Sequence, residues 1–244
     1  MAKTNTNNVV HTIHFVVGNR GSIGKSFFST LLCHLYGANK KPFTLFDTDP
    51  HKKDVSAMYG GITDVHFDAC NEIMVNYSSE AIKCDRIYEE ALKQDVIVNL
   101  PSDSHAELFF WLQQNGLDKA EFLQSEKLKI YIWFLSNGDN TSLELLQKTL
   151  TCSSAFTTIL VRNFGIDHQW NKEKFELPEA IEGISTMDLD IMPRAEREAT
   201  FKSGKAYDTY SGNKLSQNRL TNYLKIQCDK VLDLFSLVEA SLVA

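Results

Sequence analysis

Gly18-Asn19-Arg20-Gly21-Ser22-Ile23-Gly24-Lys25-Ser26 is the stretch on which the fold of this chain turns. Upstream, Thr12-Ile13-His14-Phe15-Val16-Val17 is apolar and β-branched, the pattern of a strand buried on both faces. Downstream, Phe28, Leu31, Leu32 and Leu35 recur at helical spacing. Glycines at 18, 21 and 24 let the backbone bend tightly between the two and aim successive N–H groups at one anion. The new helix adds its positive end. Lys25 then supplies a point charge for β- and γ-phosphates and Ser26 a hydroxyl for Mg²⁺. With the main chain of Gly21, Ser22, Ile23 and Gly24, and with Phe27 in the first helical turn, these residues form the expected nucleotide-binding set. The alternative is a glycine-rich turn with no ligand, and the flanking strand and helix argue against it.

A chain of 244 residues can bury a full core, and residues 1–244 read as a single nucleotide-binding domain. The net charge of −6 leaves no polycation field over the whole molecule, so any contact with DNA or anionic lipid has to be a local patch. Five cysteines, odd in number and without a CxxC pair, read as reduced thiols rather than a zinc site. No run of about 18 apolar residues occurs, and Met1 to Asn8 is polar without a signal-peptide core, so the expected location is cytoplasmic. The sequons at 76–78 and 140–142 are then incidental.

In order along the chain, Gly37 is the expected cap of the first helix, and Phe43-Thr44-Leu45-Phe46 a second strand ending at Asp47-Thr48-Asp49-Pro50. Open α/β sheets bind ligands at such carboxyl ends. Alternation sends Asp47 and Asp49 to one face, from which both reach the metal and phosphate region. Val65-His66-Phe67 reads as a short strand. Ser78 to Lys93 reads as a helix with Ile82, Ile87, Tyr88 and Leu92 on its apolar face. Asp95-Val96-Ile97-Val98-Asn99 is a buried strand whose last residue is an amide where a second acidic motif is expected. An amide brings no charge to Mg²⁺. Further strands lie at 128–135, 156–161 and 188–193, with helices at about 104–114, 142–150, 196–210 and 216–243, and 165–188 as an excursion over the surface. Strands alternating with helices predict a three-layer α/β/α fold around a mostly parallel sheet.

The loop, read with Asp47-Thr48-Asp49-Pro50, resembles the ParA/MinD group of deviant Walker ATPases, whose loop is Lys-Gly-Gly-x-Gly-Lys-Thr/Ser and whose next strand ends Asp-x-Asp-Pro. Within that group the loop and the ending around Arg219 to Ala240 resemble the plasmid mobilisation and stability branch, including TraL, MobD and StbB proteins. The resemblance implies ATP and Mg²⁺ as cofactors and an ATP-sandwich homodimer. Arg20 stands where the family's extra lysine reaches the partner's phosphates, which would make it a trans-acting finger. Pairing with a surface acid is its alternative. The resemblance casts Asp49 as the residue that orients or deprotonates the attacking water and Asp47 as a support for Mg²⁺ through water. It makes Asn163 the reader of the adenine edge, with the main chain around Pro193 flanking the base. Ser22, in place of a family glycine, is expected to keep a negative φ.

The resemblance implies a slow ATPase switch that serves plasmid transfer, mobilisation or partition through a protein partner. Asn99 in place of the family's acid motivates a second reading, an ATP-binding adaptor without catalysis. A small-molecule ligase or kinase on the same fold ranks third. From Arg194 to Lys230 there are eight Lys or Arg against four Asp or Glu. Relatives bind DNA non-specifically late in the chain, and Arg194, Arg197, Lys202, Lys205, Lys214, Arg219 and Lys225, with Tyr207, Tyr210 and Tyr223 interleaved, are the matching candidates. A solvated helix face is the alternative. MinD relatives attach to membranes by a C-terminal amphipathic helix. Here Val231, Leu232, Leu234, Phe235, Leu237, Val238, Leu242 and Val243 are abundant, but Asp233 and Glu239 replace the basic flank, so packing against the sheet or against a partner is expected instead.

Overall fold

A computed structural model describes residues 9–71, 79–166, 170 and 177–241. Six strands form one sheet: β1 (His11–Gly18), β2 (Phe43–Asp47), β3 (Asp95–Asn99), β4 (Leu128–Ser136), β5 (Thr157–Asn163) and β6 (Ser185–Leu189). Their order is β2-β3-β1-β4-β5-β6, and every neighbouring pair is parallel. Because the chain returns from β3 past β1 to reach β4, the carboxyl end of β1 lies at a switch in strand order, where a crevice opens.

Among the described residues the helices are α1 (Lys25–Ala38), α2 (Asp54–Tyr59), α3 (Asp85–Ala91), α4 (His105–Gln114), α5 (Ala120–Glu126), α6 (Asn140–Cys152), α7 (Arg194–Ser203) and α8 (Lys214–Ser241). Strand alternation divides them into two layers. Ile13, Phe15 and Val17 of β1 join the core beneath α4, with Leu108, Trp111 and Leu112. Val16, Ile97 and Trp133 join the core beneath α1 and α8, with Phe28, Leu31 and Val231.

Several expected boundaries move. Gly37 lies within α1, which Asn39 ends by its N–H and its side chain Nδ2, both donating to the Leu35 carbonyl. Residues 67–70 make a 3₁₀ turn rather than a strand, and only Ile62 bridges to Phe46. The helix expected from 78 to 93 is a 3₁₀ segment, Ser79–Cys84, followed by α3. That change of pitch rotates Ile82 and Leu92 out to solvent while Ile87 stays buried. The helix expected over 196–210 stops at Ser203, where Gly204 takes a left-handed cap, and Tyr207–Thr209 is a separate 3₁₀ turn. The short helix α5 carries too few apolar residues to signal itself. In the presumed surface excursion, Trp170 is buried over Gly138 and donates to the Ser136 carbonyl at 2.7 Å. The rest of 167–176 and the sequon at 76–78 lie outside the described residues.

Beneath α1 at the far end of the sheet, His14 is 1% exposed. Trp133 Nε1 donates to its Nδ1 at 3.1 Å, and its Nε2 lies 2.7 Å from Tyr36 Oη, which donates to Asp95. Burial pushes the imidazole down to about 3, with Asp95 pulling the other way. The unfolded chain protonates this group near its usual value, whereas the folded chain refuses the proton until about pH 3. Stability is therefore full above pH 6.5 and falls below it, by up to ~1.4 kcal/mol per pH unit from this group alone. Urea unfolding from pH 7 to 4 should show that decline, and His14→Gln should flatten it. An equal slope in the variant would remove His14 as its source.

Candidate nucleotide site

The crevice at the switch point is a pocket of about 850 Å³, within the range of small-molecule sites. Its floor is the loop between β1 and α1. Gly24 takes φ 102 and Ser22 φ 59, so the expectation of a negative φ at Ser22 is corrected. Left-handed residues alternating with right-handed ones turn neighbouring N–H groups toward one side, which is the geometry of an anion nest. A short polar side chain bears this conformation at modest cost. No side chain caps the start of α1, and the first turn's donors are left for a ligand.

Lys25 is 7% exposed and lines the pocket, its Nζ donating to the Arg20 carbonyl at 3.0 Å. Burial pushes its ammonium down to about 8, against the pull of Asp49 and then Asp103. A buried cation with so little neutralisation is a fit for phosphate. Gly21, Ser22, Ser26 and Phe27 line the pocket as well. Ile23 is fully buried in the core, so its share of the loop is its main chain. Phe27 packs beside Phe201 and Tyr223, at ring centroids 6.1 and 6.3 Å away.

Asp49 lines the pocket and organises its own turn, its Oδ1 accepting from the N–H groups of His51 and Lys52. Asp47 does not share that face, because β2 ends at Asp47 and alternation stops there. Its carboxylate is fully buried, accepting from Asn99 Nδ2 at 2.9 Å and from the Ser56 N–H at 2.9 Å. Asn99 in turn accepts from Ser29 Oγ at 3.0 Å. The amide is thus a neutral link joining α1, β3 and β2. It has no free end toward the pocket.

Asn163 lines the pocket beside Gly24, donating to the Ile23 carbonyl at 2.9 Å and accepting from the Gly165 N–H at 2.8 Å. Pro193 caps α7, and its neighbour Met192 faces the pocket. Arg20 stays outside, half-exposed, with Nη1 3.3 Å from Asp139, the cap of α6. Sequence reasoning missed the further lining residues Asp68, Ser102, Asp103 and Glu107, and Arg197, Glu198 and Phe201 of α7. Glu107 Oε2 is shielded from solvent without a hydrogen-bond partner. Among the described residues no three His, Cys, Asp or Glu side chains form a ready-made metal cage. The donor set fits Mg²⁺, which takes a hydroxyl, one or two carboxylates, phosphate oxygens and water.

No protein-family model matches the sequence, and no curated protein sequence matches it. Solved structures do. The chain aligns with the cell division ATPase MinD of Pyrococcus furiosus at TM-score 0.54 and 12% identity, over 93% of this chain and 100% of that one. It aligns with the septum site-determining protein MinD of Pyrococcus horikoshii OT3, in complex with Mg-ADP, at TM-score 0.53 and 11% identity, over 87% and 94%. The fold is that of the MinD ATPases. At this identity the likeness concerns the path of the chain, and the α/β expectation is met by six parallel strands between helices.

The late basic stretch combines buried, paired and exposed side chains. Tyr207 and Tyr223 are buried in the core, and Tyr210 Oη is paired with Ser216. Arg194 pairs with Glu198, and Arg219 with the buried Glu196 at 2.6 Å. Lys202, Lys205, Lys214 and Lys225 are exposed. On α8, Val231, Leu234 and Val238 pack on the sheet, and no described helix is long and apolar enough to cross a membrane.

Proposed function

We propose that this chain binds ATP with Mg²⁺ and acts as a nucleotide-dependent switch. The observation that carries the reading is Lys25, a buried and under-neutralised ammonium set at the uncapped start of α1 inside a glycine loop. Phosphate would be held by the loop main chain and Lys25, the base would lie toward Asn163 and Met192, and Ser26 would bear the metal. Mg²⁺ supplies charge to the phosphate oxygens and lowers the cost of transferring the terminal group. Asp49, one of the carboxylates lining the pocket, would orient the attacking water. Asp47 is too deeply engaged to act through water without breaking its bonds to Asn99 and Ser56.

In this reading ATP joins two copies and Arg20 crosses to the partner's phosphates. Its present bond to Asp139 is an exposed ion pair, worth less than about 1 kcal/mol, so releasing it costs little. A transfer or partition protein would then read the dimer. Arg194, Arg219 and Lys230 are held in ion pairs, and Lys202, Lys205, Lys214 and Lys225 are the exposed cations that a duplex would meet; salt-sensitive retention on duplex DNA with ATP is the measurement that decides for such a contact.

Titration calorimetry with Mg-ATP and Mg-ADP, beside size measurements with each nucleotide, tests the proposal. Saturable binding at micromolar to submillimolar ligand is expected, with a dimer under ATP and a monomer for Arg20→Ala. Absence of heat at millimolar ligand would end the reading. Asn99 favours a second one, an adaptor that binds ATP without turnover. Full ATP binding with no phosphate release would select it.

A further inference from the structure

Nucleotide-bound Mg²⁺ draws on one or two carboxylates besides phosphate oxygens and water. The end of β3 offers none to the pocket, since Asn99 is occupied by Asp47 and Ser29 and Asp47 is sealed beneath it. The turn that follows β3 offers two. Leu100, Pro101, Ser102, Asp103, Ser104 and Glu107 line the pocket together with the loop, Ser102 Oγ lying 4.0 Å from where a Gly21 Cβ would stand. Ser104 Oγ donates to the Pro101 carbonyl at 3.1 Å, tying the turn together, and Asp103 sits at its tip with φ 63. The charge of Asp103 reaches Lys25, which locates it on the phosphate side. Glu107, in the first turn of α4, contributes an oxygen that is buried at the same pocket without a partner. Such an oxygen needs a donor or a cation to compensate its lost hydration.

We propose that Asp103 and Glu107, on the turn after β3, supply the carboxylates that hold hydrated Mg²⁺ at the nucleotide, in place of an acid at the strand end. This rests on the nucleotide-binding reading. The charge is displaced from the strand to the turn, which leaves Asn99 free to link the sheet to α1.

The test is ADP binding by calorimetry to the full chain and to the double variant D103N/E107Q, each with excess Mg²⁺ and with a chelator. Direct Mn²⁺ binding to the ADP complex, followed by electron paramagnetic resonance, supplies the second readout. The wild type should bind ADP at least ~10-fold more tightly with Mg²⁺ than with chelator, a difference of about 1.4 kcal/mol. The variant should keep its chelator affinity, lose most of that gain, and bind Mn²⁺ at least ~10-fold more weakly. A variant with the full metal gain would overturn the proposal, as would one that loses ADP affinity in chelator, since the two acids would then shape the pocket rather than the metal. A wild type that binds no ADP under either condition would instead defeat the nucleotide reading itself, so the two failures are distinct.

Discussion

Gly24→Ala should weaken nucleotide binding by at least ~100-fold, about 2.7 kcal/mol, whereas Gly21→Ala should stay within about threefold. The three loop glycines look equivalent in the sequence but differ in their surroundings. Gly24 has φ 102, and a Cβ there would stand 2.4 Å from Asn163 Nδ2. Alanine at 24 must both strain the backbone and displace the amide that holds the Ile23 carbonyl. The loop would lose its left-handed turn and its tether to β5 together. At Gly21 a Cβ would meet only Ser102 Oγ, at 4.0 Å. Calorimetry with Mg-ADP on both variants checks the contrast, and equal losses would refute the geometry assigned to the loop.

Asn99→Asp should destabilise the fold by roughly 2–4 kcal/mol at neutral pH, because it sets a second carboxylate against the buried Asp47 at a present distance of 2.9 Å. The introduced acid would hold a proton well above the ordinary carboxylate range. A raised folded value means that the deficit is small below about pH 4 and grows as pH rises through that value. Denaturant unfolding at pH 4.5 and 7.5 should therefore show a gap from wild type that widens with pH. Phosphate release should not increase, since the new carboxylate would face Asp47 and Ser29 rather than the pocket. A variant as stable as wild type at pH 7.5, or one with accelerated turnover, would contradict the role given to Asn99.

The amide at position 99 shows where sequence reading stops. Read linearly, Asn99 is a defective acid at the end of a buried strand. In three dimensions it is the link between Ser29, 70 residues earlier, and Asp47, 52 residues earlier. Its replacement by a carboxylate is disfavoured by a neighbour that no spacing rule indicates. Asp47 and Asp49 fail in the same way. Period-two alternation holds only while the strand continues, and β2 stops at the first of them.

From the sequence alone came the phosphate loop, the strands on either side of it, the layering of helices on a parallel sheet and the existence of a last amphipathic helix. Each is a local signal: a run of β-branched residues, a helical repeat of leucines, glycines before Lys25. Those patterns reflect burial on a face, which the backbone period imposes within a few residues. Tertiary structure alone decided which acids reach the pocket, that Tyr207 and Tyr223 are core rather than surface, and that Asp103 and Glu107 line the same pocket as Lys25. Such facts depend on strand order and on the direction of turns, where contacts join residues far apart in the chain and no local period records them.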